Sequence, residues 1–115
     1  MDEAGNERRG AQLTGLGLNL FYRYDRLGNL QDLEAAIARF EAAVESIPED
    51  HPKRALVLAN LAAPLSDRYK RLGNVQDLEA AITLVEAAVG AIPEDRYHPY
   101  RADWLGRLGG LLNRR

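Results

Sequence analysis

The sequence predicts an all-α protein, an antiparallel helix-pair solenoid of two full 45-residue repeats followed by one extra helix. The first observation is internal repetition, because residues 23–50 and 68–95 are identical at 21 of 28 positions. The second is that apolar residues recur three or four positions apart, which is typical of one face of an α-helix. The third is that Gly-Asn and Ile-Pro pairs, which are typical of helix ends, stand at the same points of both copies.

The first repeat, residues 9–50, is expected to follow a disordered tail at residues 1–8 and to contain two helices. The apolar stripe of the first helix is Leu13, Leu16, Leu20, Tyr24 and Leu27. Gly28 then closes the helix, since glycine adopts the left-handed conformation at little cost, and Asn29 caps the next one. The stripe of the second helix is Leu30, Leu33, Ile37, Phe40, Val44 and Ile47. Pro48 ends that helix, because the residue before a proline disfavours helical geometry.

The second repeat, residues 54–95, carries the same two helices 45 positions later. Its stripes are Leu58, Leu61, Leu65, Tyr69 and Leu72, then Val75, Leu78, Ile82, Val85, Val89 and Ile92. Pro64 falls inside the first of these helices and predicts a kink, because proline removes one backbone hydrogen bond.

A partial third unit, residues 99–115, predicts a fifth helix. Its apolar residues are Trp104, Leu105, Leu108, Leu111 and Leu112. Residues 109–113 are apolar and glycine-rich, which makes a poor cap for a repeat stack. We therefore expect either a piece of a longer array or an end that pairs with another copy.

The composition excludes several classes of function. The chain has 115 residues, a formal net charge of −2 and no cysteine, so bulk positive charge for nucleic acid, disulfides and thiolate chemistry are not expected. It contains no apolar run of about 20 residues, and its polar start lacks the pattern of a signal peptide. We expect a cytoplasmic protein that is not an enzyme, has no cofactor and binds neither nucleic acid nor membrane.

The spacing within each unit resembles the tetratricopeptide repeat (TPR). In the first helices the motif residues are Leu13, Leu16, Gly17 and Leu20, then Leu58, Leu61, Ala62 and Leu65, then Leu105, Leu108, Gly109 and Leu112. In the second helices they are Ala36, Phe40, Ala43 and Pro48, then Ala81, Val85, Ala88 and Pro93. The repeat of 45 residues exceeds the usual length of about 34. In this it resembles the long repeats of kinesin light chains and, more closely, the arrays of fungal and bacterial proteins that carry a caspase-like CHAT domain. The likeness covers about residues 9–115.

The resemblance implies that the first helix of each pair lines a concave surface and contacts a partner. Asn60 matches the asparagine with which long repeats hold a peptide backbone, although the equivalent positions carry Gly15 and Arg107. The other polar candidates on the first helices are Asn19, Arg23, Asp67 and Arg68. The alternative for all five candidates is a solvated helix face or a local ion pair.

Trp104 is expected either to pack in the core or to anchor a partner, since tryptophan is enriched where binding energy concentrates. Tyr97 and Tyr100 would extend such a patch. His51 and His98 are expected to be turn residues rather than metal ligands. The acidic side chains of the second helices are interpreted as a solvated face, not as a catalytic pair; they are Glu34, Glu41, Glu45, Glu79 and Glu86.

Together these observations favour a scaffold module that binds a peptide or partner protein on the concave face of its repeats. One alternative is a truncated regulatory region of a larger multidomain protein, such as a CHAT-domain protein. The other is a structural module that associates with itself through the C-terminal helix.

Overall fold

Five α-helices make up the regular structure of the part of the chain that the computed structural model describes, residues 3–93 and 98–115, with side chains from Gly5 onward. The helices are α1 (Glu3–Leu27), α2 (Leu30–Ser46), α3 (Arg54–Leu72), α4 (Val75–Gly90) and α5 (Arg101–Arg114). The predicted all-α class is confirmed, since no strand occurs within these residues. The chain divides into two compact units, Met1–His51 with α1 and α2, and Pro52–Arg115 with α3, α4 and α5.

In the first unit α1 and α2 form an antiparallel hairpin. At the open end of the hairpin, His51 Nε2 lies 2.9 Å from Glu7 Oε1. Near the turn, Arg23 Nε donates to Asp32 Oδ2 at 2.9 Å. Contacts near both ends therefore join the two arms of the hairpin.

The turn of each hairpin has the predicted geometry. Gly28 and Gly73 have φ of 70° and 74°, and each N–H donates to the carbonyl four residues back at 2.7 Å. Asn29 and Asn74 cap the following helices, because each Oδ1 accepts from the backbone N–H two residues on at 3.0 Å. These caps satisfy backbone groups that a helix end leaves without an intrahelical partner.

The helices of the first unit approach closely where Gly17 faces Phe40. The Phe40 ring is 1% exposed. A Cβ built on Gly17 would lie only 2.7–2.9 Å from three carbons of that ring, closer than carbon atoms pack. The equivalent residues of the second unit are Ala62 and Val85, so a larger residue on one helix accompanies a smaller residue on the other. This packing accounts for two of the positions at which the repeats differ.

Helix α1 starts earlier than the sequence pattern predicted. It begins at Glu3, so the helix includes most of the segment that was expected to be a disordered tail. Within this extension Glu7 reaches His51, and just after it Gly10 is buried against Ile47. Both contacts hold the first turns of α1 against residues that follow α2.

The predicted apolar stripes are only partly buried. Leu13 is 8% exposed, whereas Leu16 is 50% and Leu27 is 67% exposed. In the second repeat Leu72 and Val75 are likewise exposed. Spacing places these residues near the packed face, but only the part of the face nearest the neighbouring helix is covered.

In the second unit α5 packs on α4 and runs antiparallel to it. At the start of α5, Arg101 Nη2 donates to the Pro93 carbonyl at 2.7 Å, just beyond the end of α4. At its end, Arg115 Nη2 donates to Glu79 Oε2 at 2.6 Å, near the start of α4. Trp104 is the buried aromatic residue between these two points.

Helix α3 continues through Pro64, which is fully buried. The predicted kink at this position stays a prediction. Tyr97, which was expected to extend a patch around Trp104, lies in the segment 94–97, outside the described residues.

Candidate partner-binding groove

A groove of about 350 Å³ opens in the second unit, where residues of α3, α4 and α5 meet. Its lining residues are Ala62, Ala63, Ser66, Asp67 and Lys70 of α3, Val85 of α4, and Arg107, Gly110, Leu111 and Arg114 of α5. Small and apolar side chains form part of this lining, and polar side chains from α3 and α5 form the rest. Its volume is at the lower end of the range of about 300–1,000 Å³ that is typical of ligand pockets.

The charged groups of the groove are predominantly positive. Lys70, Arg107 and Arg114 contribute three cations, and Asp67 contributes one carboxylate. Arg107 Nε also lies 3.3 Å from Asp103 Oδ2, in a pair that is half exposed on both sides. Exposed pairs of this kind cost little to rearrange, so Arg107 is available to a ligand.

The predicted site residues on the first helices divide into three groups. Asp67 lines the groove, and Arg107, which stands at the position equivalent to Asn60, lines it as well. Asn60 itself is partly buried on α3 and is not among the lining residues. Asn19 is exposed on α1, in the other unit.

Arg23 and Arg68 form the third group, and both take part in local ion pairs. Arg23 donates to both carboxylate oxygens of Asp32, with its Nη2 at 2.6 Å from Oδ1. Arg68 donates to both oxygens of Asp77 at 2.8 Å. These pairs agree with the alternative that was kept open for the two arginines. Each pair spans the turn of its own hairpin, and we call the two pairs the turn clamps.

The acceptors of the turn clamps, Asp32 and Asp77, are the buried charged residues of the described chain, at 6% and 5% exposure. The hydrogen bond from the Arg23 guanidinium lowers the pKa of the Asp32 carboxyl, while burial opposes this effect. A signal for the clamp was present in the sequence, because an arginine precedes an aspartate by nine residues in both repeats.

Trp104 lies in the interior of its unit rather than on a surface. It is 3% exposed, and its ring stacks on Tyr100 with centroids 5.7 Å apart. The centroid of the His98 ring lies 5.2 Å from that of Trp104. This environment favours the core-packing interpretation, and Tyr100, at 46% exposure, is the accessible ring of the group.

Both histidines contact another side chain, His51 that of Glu7 and His98 that of Trp104. His51 contacts Glu7, a carboxylate far away in sequence that spacing did not indicate. Within residues 3–93 and 98–115, no group of three potential metal-ligating side chains comes together. Most glutamates of the second helices are exposed as predicted, but Glu79 pairs with Arg115. That hydrogen bond lowers the pKa of the Glu79 carboxyl and raises the pKa of the Arg115 guanidinium.

No helix among the described residues combines the length and the apolar character that crossing a bilayer requires. Comparison of the chain with known proteins found no matching family model, no matching curated protein and no matching solved structure.

Proposed function

We propose that this protein is a protein–protein interaction module that binds an extended, acidic peptide segment in the groove between α3 and α5. The observation that carries the proposal is the groove itself, which has apolar and small residues beside three cations. Such a lining offers contacts to apolar side chains and charge complementarity to carboxylates. Lys70 and Arg114, on different helices, would contact the same segment from two sides.

The repeat pattern supports a proposal about how the two hairpins are organised. We infer that the two hairpins belong to a TPR-like solenoid, because the sequence repeats every 45 residues and both hairpins carry the same turn clamp. In such a solenoid the first helices line the concave face, so a groove between α3 and α5 is the expected position for a partner. The motif likeness to arrays of CHAT-domain proteins supports a scaffold or regulatory role in the cytoplasm.

The test is selection of binders from a random peptide library displayed on phage, with the purified protein as bait. We expect enrichment of segments rich in aspartate and glutamate beside apolar residues. The variants Lys70→Glu and Arg107→Glu should each weaken a selected peptide at least tenfold. Arg26→Glu is the matched control, because Arg26 is an exposed arginine of the first unit.

The affinity of a selected peptide should also fall as ionic strength rises, since the charges of the groove are exposed to solvent. Enrichment of peptides without acidic residues, or equal binding by Lys70→Glu and Arg26→Glu, would refute the proposal.

A further inference from the structure

The three cations of the groove flank an open point on α5. Arg107 and Arg114 stand three residues before and four residues after Gly110, on the same side of the helix. They are about 4.5 Å and about 6 Å from Gly110 along the helix axis. A Cβ built on Gly110 would meet no atom within 4 Å apart from the nearby backbone of its own helix. Lys70 lines the same groove from α3. We call the space above Gly110, between the two arginines, the notch.

The positive charges around the notch are available to a ligand. Among the residues that the structure describes, no carboxylate pairs with Lys70 or Arg114. Arg107 lies beside Asp103 in an exposed pair, which costs little to break. With Asp67 as the carboxylate of the lining, the groove keeps two net positive charges. A ligand group with two negative charges would balance them.

Phosphate has the charge and the hydrogen-bonding capacity that such a site requires. A phosphorylated serine or threonine carries about −1.5 to −2 charges at pH 7 and has three strong acceptor oxygens. Guanidinium groups bind phosphate through two parallel hydrogen bonds, and a lysine binds it as a point charge. Because Arg107, Arg114 and Lys70 line one space of about 350 Å³, a single phosphate in the notch can contact all three. A single carboxylate would leave part of their charge unbalanced.

The depth of the groove indicates which phosphorylated residue fits. Its floor is apolar, because Ala62, Val85 and Leu111 are buried. Gly110 and the three cations are exposed, so the positive charge lies at the rim. The short side chain of phosphoserine or phosphothreonine places its phosphate at that level, whereas phosphotyrosine carries it further, over the apolar floor.

The floor then accepts a neighbouring side chain of the same segment. In an extended chain, residues two positions apart project to the same side and lie about 6.7 Å apart. An apolar residue two positions from the phosphorylated one can therefore contact Val85 and Leu111 while the phosphate stays at the rim.

We propose that the groove recognises a phosphoserine or phosphothreonine within an acidic segment of a partner protein, with the phosphate in the notch and an apolar residue on the floor. This rests on the proposed function, since it names the modified residue that the same groove selects. Arg107 and Arg114 hold the phosphate from both sides, and Lys70 holds it from α3.

The probes are four peptides labelled with fluorescein that share the sequence Asp-Glu-Ser-Glu-Leu-Asp-Glu except at its third residue. That residue is serine, phosphoserine, glutamate or phosphotyrosine. Their affinities for the intact protein are measured by fluorescence anisotropy. The phosphoserine peptide should bind at least tenfold more tightly than the serine peptide, and at least fivefold more tightly than the glutamate and phosphotyrosine peptides. Inorganic phosphate at an equal concentration should not displace it, since phosphate alone makes no contact with the floor.

Acidification separates recognition of phosphate from attraction of carboxylates. The second pKa of a phosphoserine is about 6, so its phosphate loses a charge between about pH 7.5 and about pH 5.5. Peptide glutamates, with a pKa of about 4.3, stay mostly ionised over this interval. The affinity of the phosphoserine peptide should fall at least threefold, while that of the glutamate peptide, which reports any effect of pH on the protein itself, should change less than twofold.

Two adjacent glycines provide a matched pair of variants. Gly109 and Gly110 are both exposed, and a Cβ on either one has open space around it, but of the two it is Gly110 that lines the groove. Gly110→Leu should weaken the phosphoserine peptide at least tenfold, because the new side chain fills the notch, and Gly109→Leu should change its affinity less than twofold. Both variants should fold, since leucine favours a helix more than glycine does, and circular dichroism with Trp104 fluorescence checks this.

The cations are tested by the preference for phosphoserine over glutamate rather than by affinity alone. Arg114→Gln and Lys70→Gln should each lower that preference at least threefold. Arg26→Gln, in the first unit, should leave it unchanged.

The outcomes separate this inference from the proposed function. Equal affinities for the phosphoserine and glutamate peptides, both lost in Arg107→Glu, would overturn phosphate recognition and leave the binding of acidic segments in place. Equal weakening by Gly110→Leu and Gly109→Leu would overturn the notch as the site. Displacement by an equal concentration of inorganic phosphate would make free phosphate the ligand and overturn the peptide. If none of the four peptides binds, both proposals are refuted.

Discussion

The contact between Gly17 and Phe40 predicts that Gly17→Ala destabilises the protein when residue 40 is phenylalanine and stabilises it when residue 40 is valine. In the wild-type background, Gly17→Ala places a Cβ 2.7–2.9 Å from three carbons of the Phe40 ring, which is 1% exposed and has no solvent to move into. Overpacking costs up to about 3 kcal/mol, and alanine returns about 1 kcal/mol of helix propensity. We expect a net loss of about 2 kcal/mol in the free energy of unfolding.

In the Phe40→Val background the ring is absent, as in the second repeat. Phe40→Val alone should cost about 2–3 kcal/mol, because it leaves a cavity beside Gly17. Adding Gly17→Ala should now recover about 1 kcal/mol, since the methyl group fills part of that space and the helix gains propensity. The coupling energy between the two sites is then about 3 kcal/mol, at the upper end of values for residues in contact.

The assay is urea unfolding of the four proteins, followed by far-UV circular dichroism. Gly17→Ala should lower the midpoint by about 1 M urea in the wild-type background and raise it in the Phe40→Val background, given typical urea dependences. Gly15→Ala is the control, because its added Cβ would meet no atom within 4 Å apart from the nearby backbone of its own helix, and it should stabilise both backgrounds slightly. If Gly17→Ala has the same effect in both backgrounds within about 0.5 kcal/mol, the packing argument is refuted.

Three further predictions concern the turns and α3. Because Arg23 lowers the pKa of Asp32, this pair should stabilise the fold above the unfolded pKa of about 3.9 and lose its effect as the pH falls through the lower folded value. Arg23→Met should flatten the acid limb of a plot of stability against pH, and an unchanged limb would contradict the assignment. Asn74→Ala should cost about 1 kcal/mol in thermal unfolding, because it removes the cap of α4, whereas no change would show that solvent replaces the cap. If Pro64 kinks α3, amide hydrogen exchange around Asn60 should be faster than in α4, and equal protection would count against the kink.

The turns could be predicted from the sequence because their causes are local. A positive φ at Gly28 and Gly73 follows from a glycine just after an apolar periodic run. The hydrogen bonds of Asn29 and Asn74 follow from the preference of asparagine for the cap position. Each of these features depends on residues within about four positions of one another.

The features that escaped prediction depend on how helices pair. Periodicity marked Leu16 and Leu27 as apolar-face residues, but it does not show how far around the helix the neighbour reaches. The start of α1 depends on Glu7 reaching His51, 44 residues later. The groove brings together Lys70 and Arg107, which no sequence spacing relates before the positions of α3 and α5 are known.

The candidate residues for partner contact could be assigned to helices but not to roles. Arg23 and Arg68 are polar residues on first helices, as a partner-binding residue would be, and the structure pairs them with buried aspartates instead. The sequence signal for these ion pairs is an arginine and an aspartate nine residues apart across a turn, a separation that matches no helical spacing. Repetition of that separation in both copies is the clue that sequence reasoning can use in related arrays.

The turn clamps have a consequence for how such a chain assembles. Each clamp closes a loop of only nine residues, so the two helices of a hairpin can find each other early and at a low cost in chain entropy. Contacts of this kind give low contact order and therefore fast folding. Because the turn clamp lies within the hairpin, the two helices can align without contacts from distant parts of the chain. A duplicated repeat would therefore contain both residues of its own turn clamp, the arginine and the aspartate nine positions later.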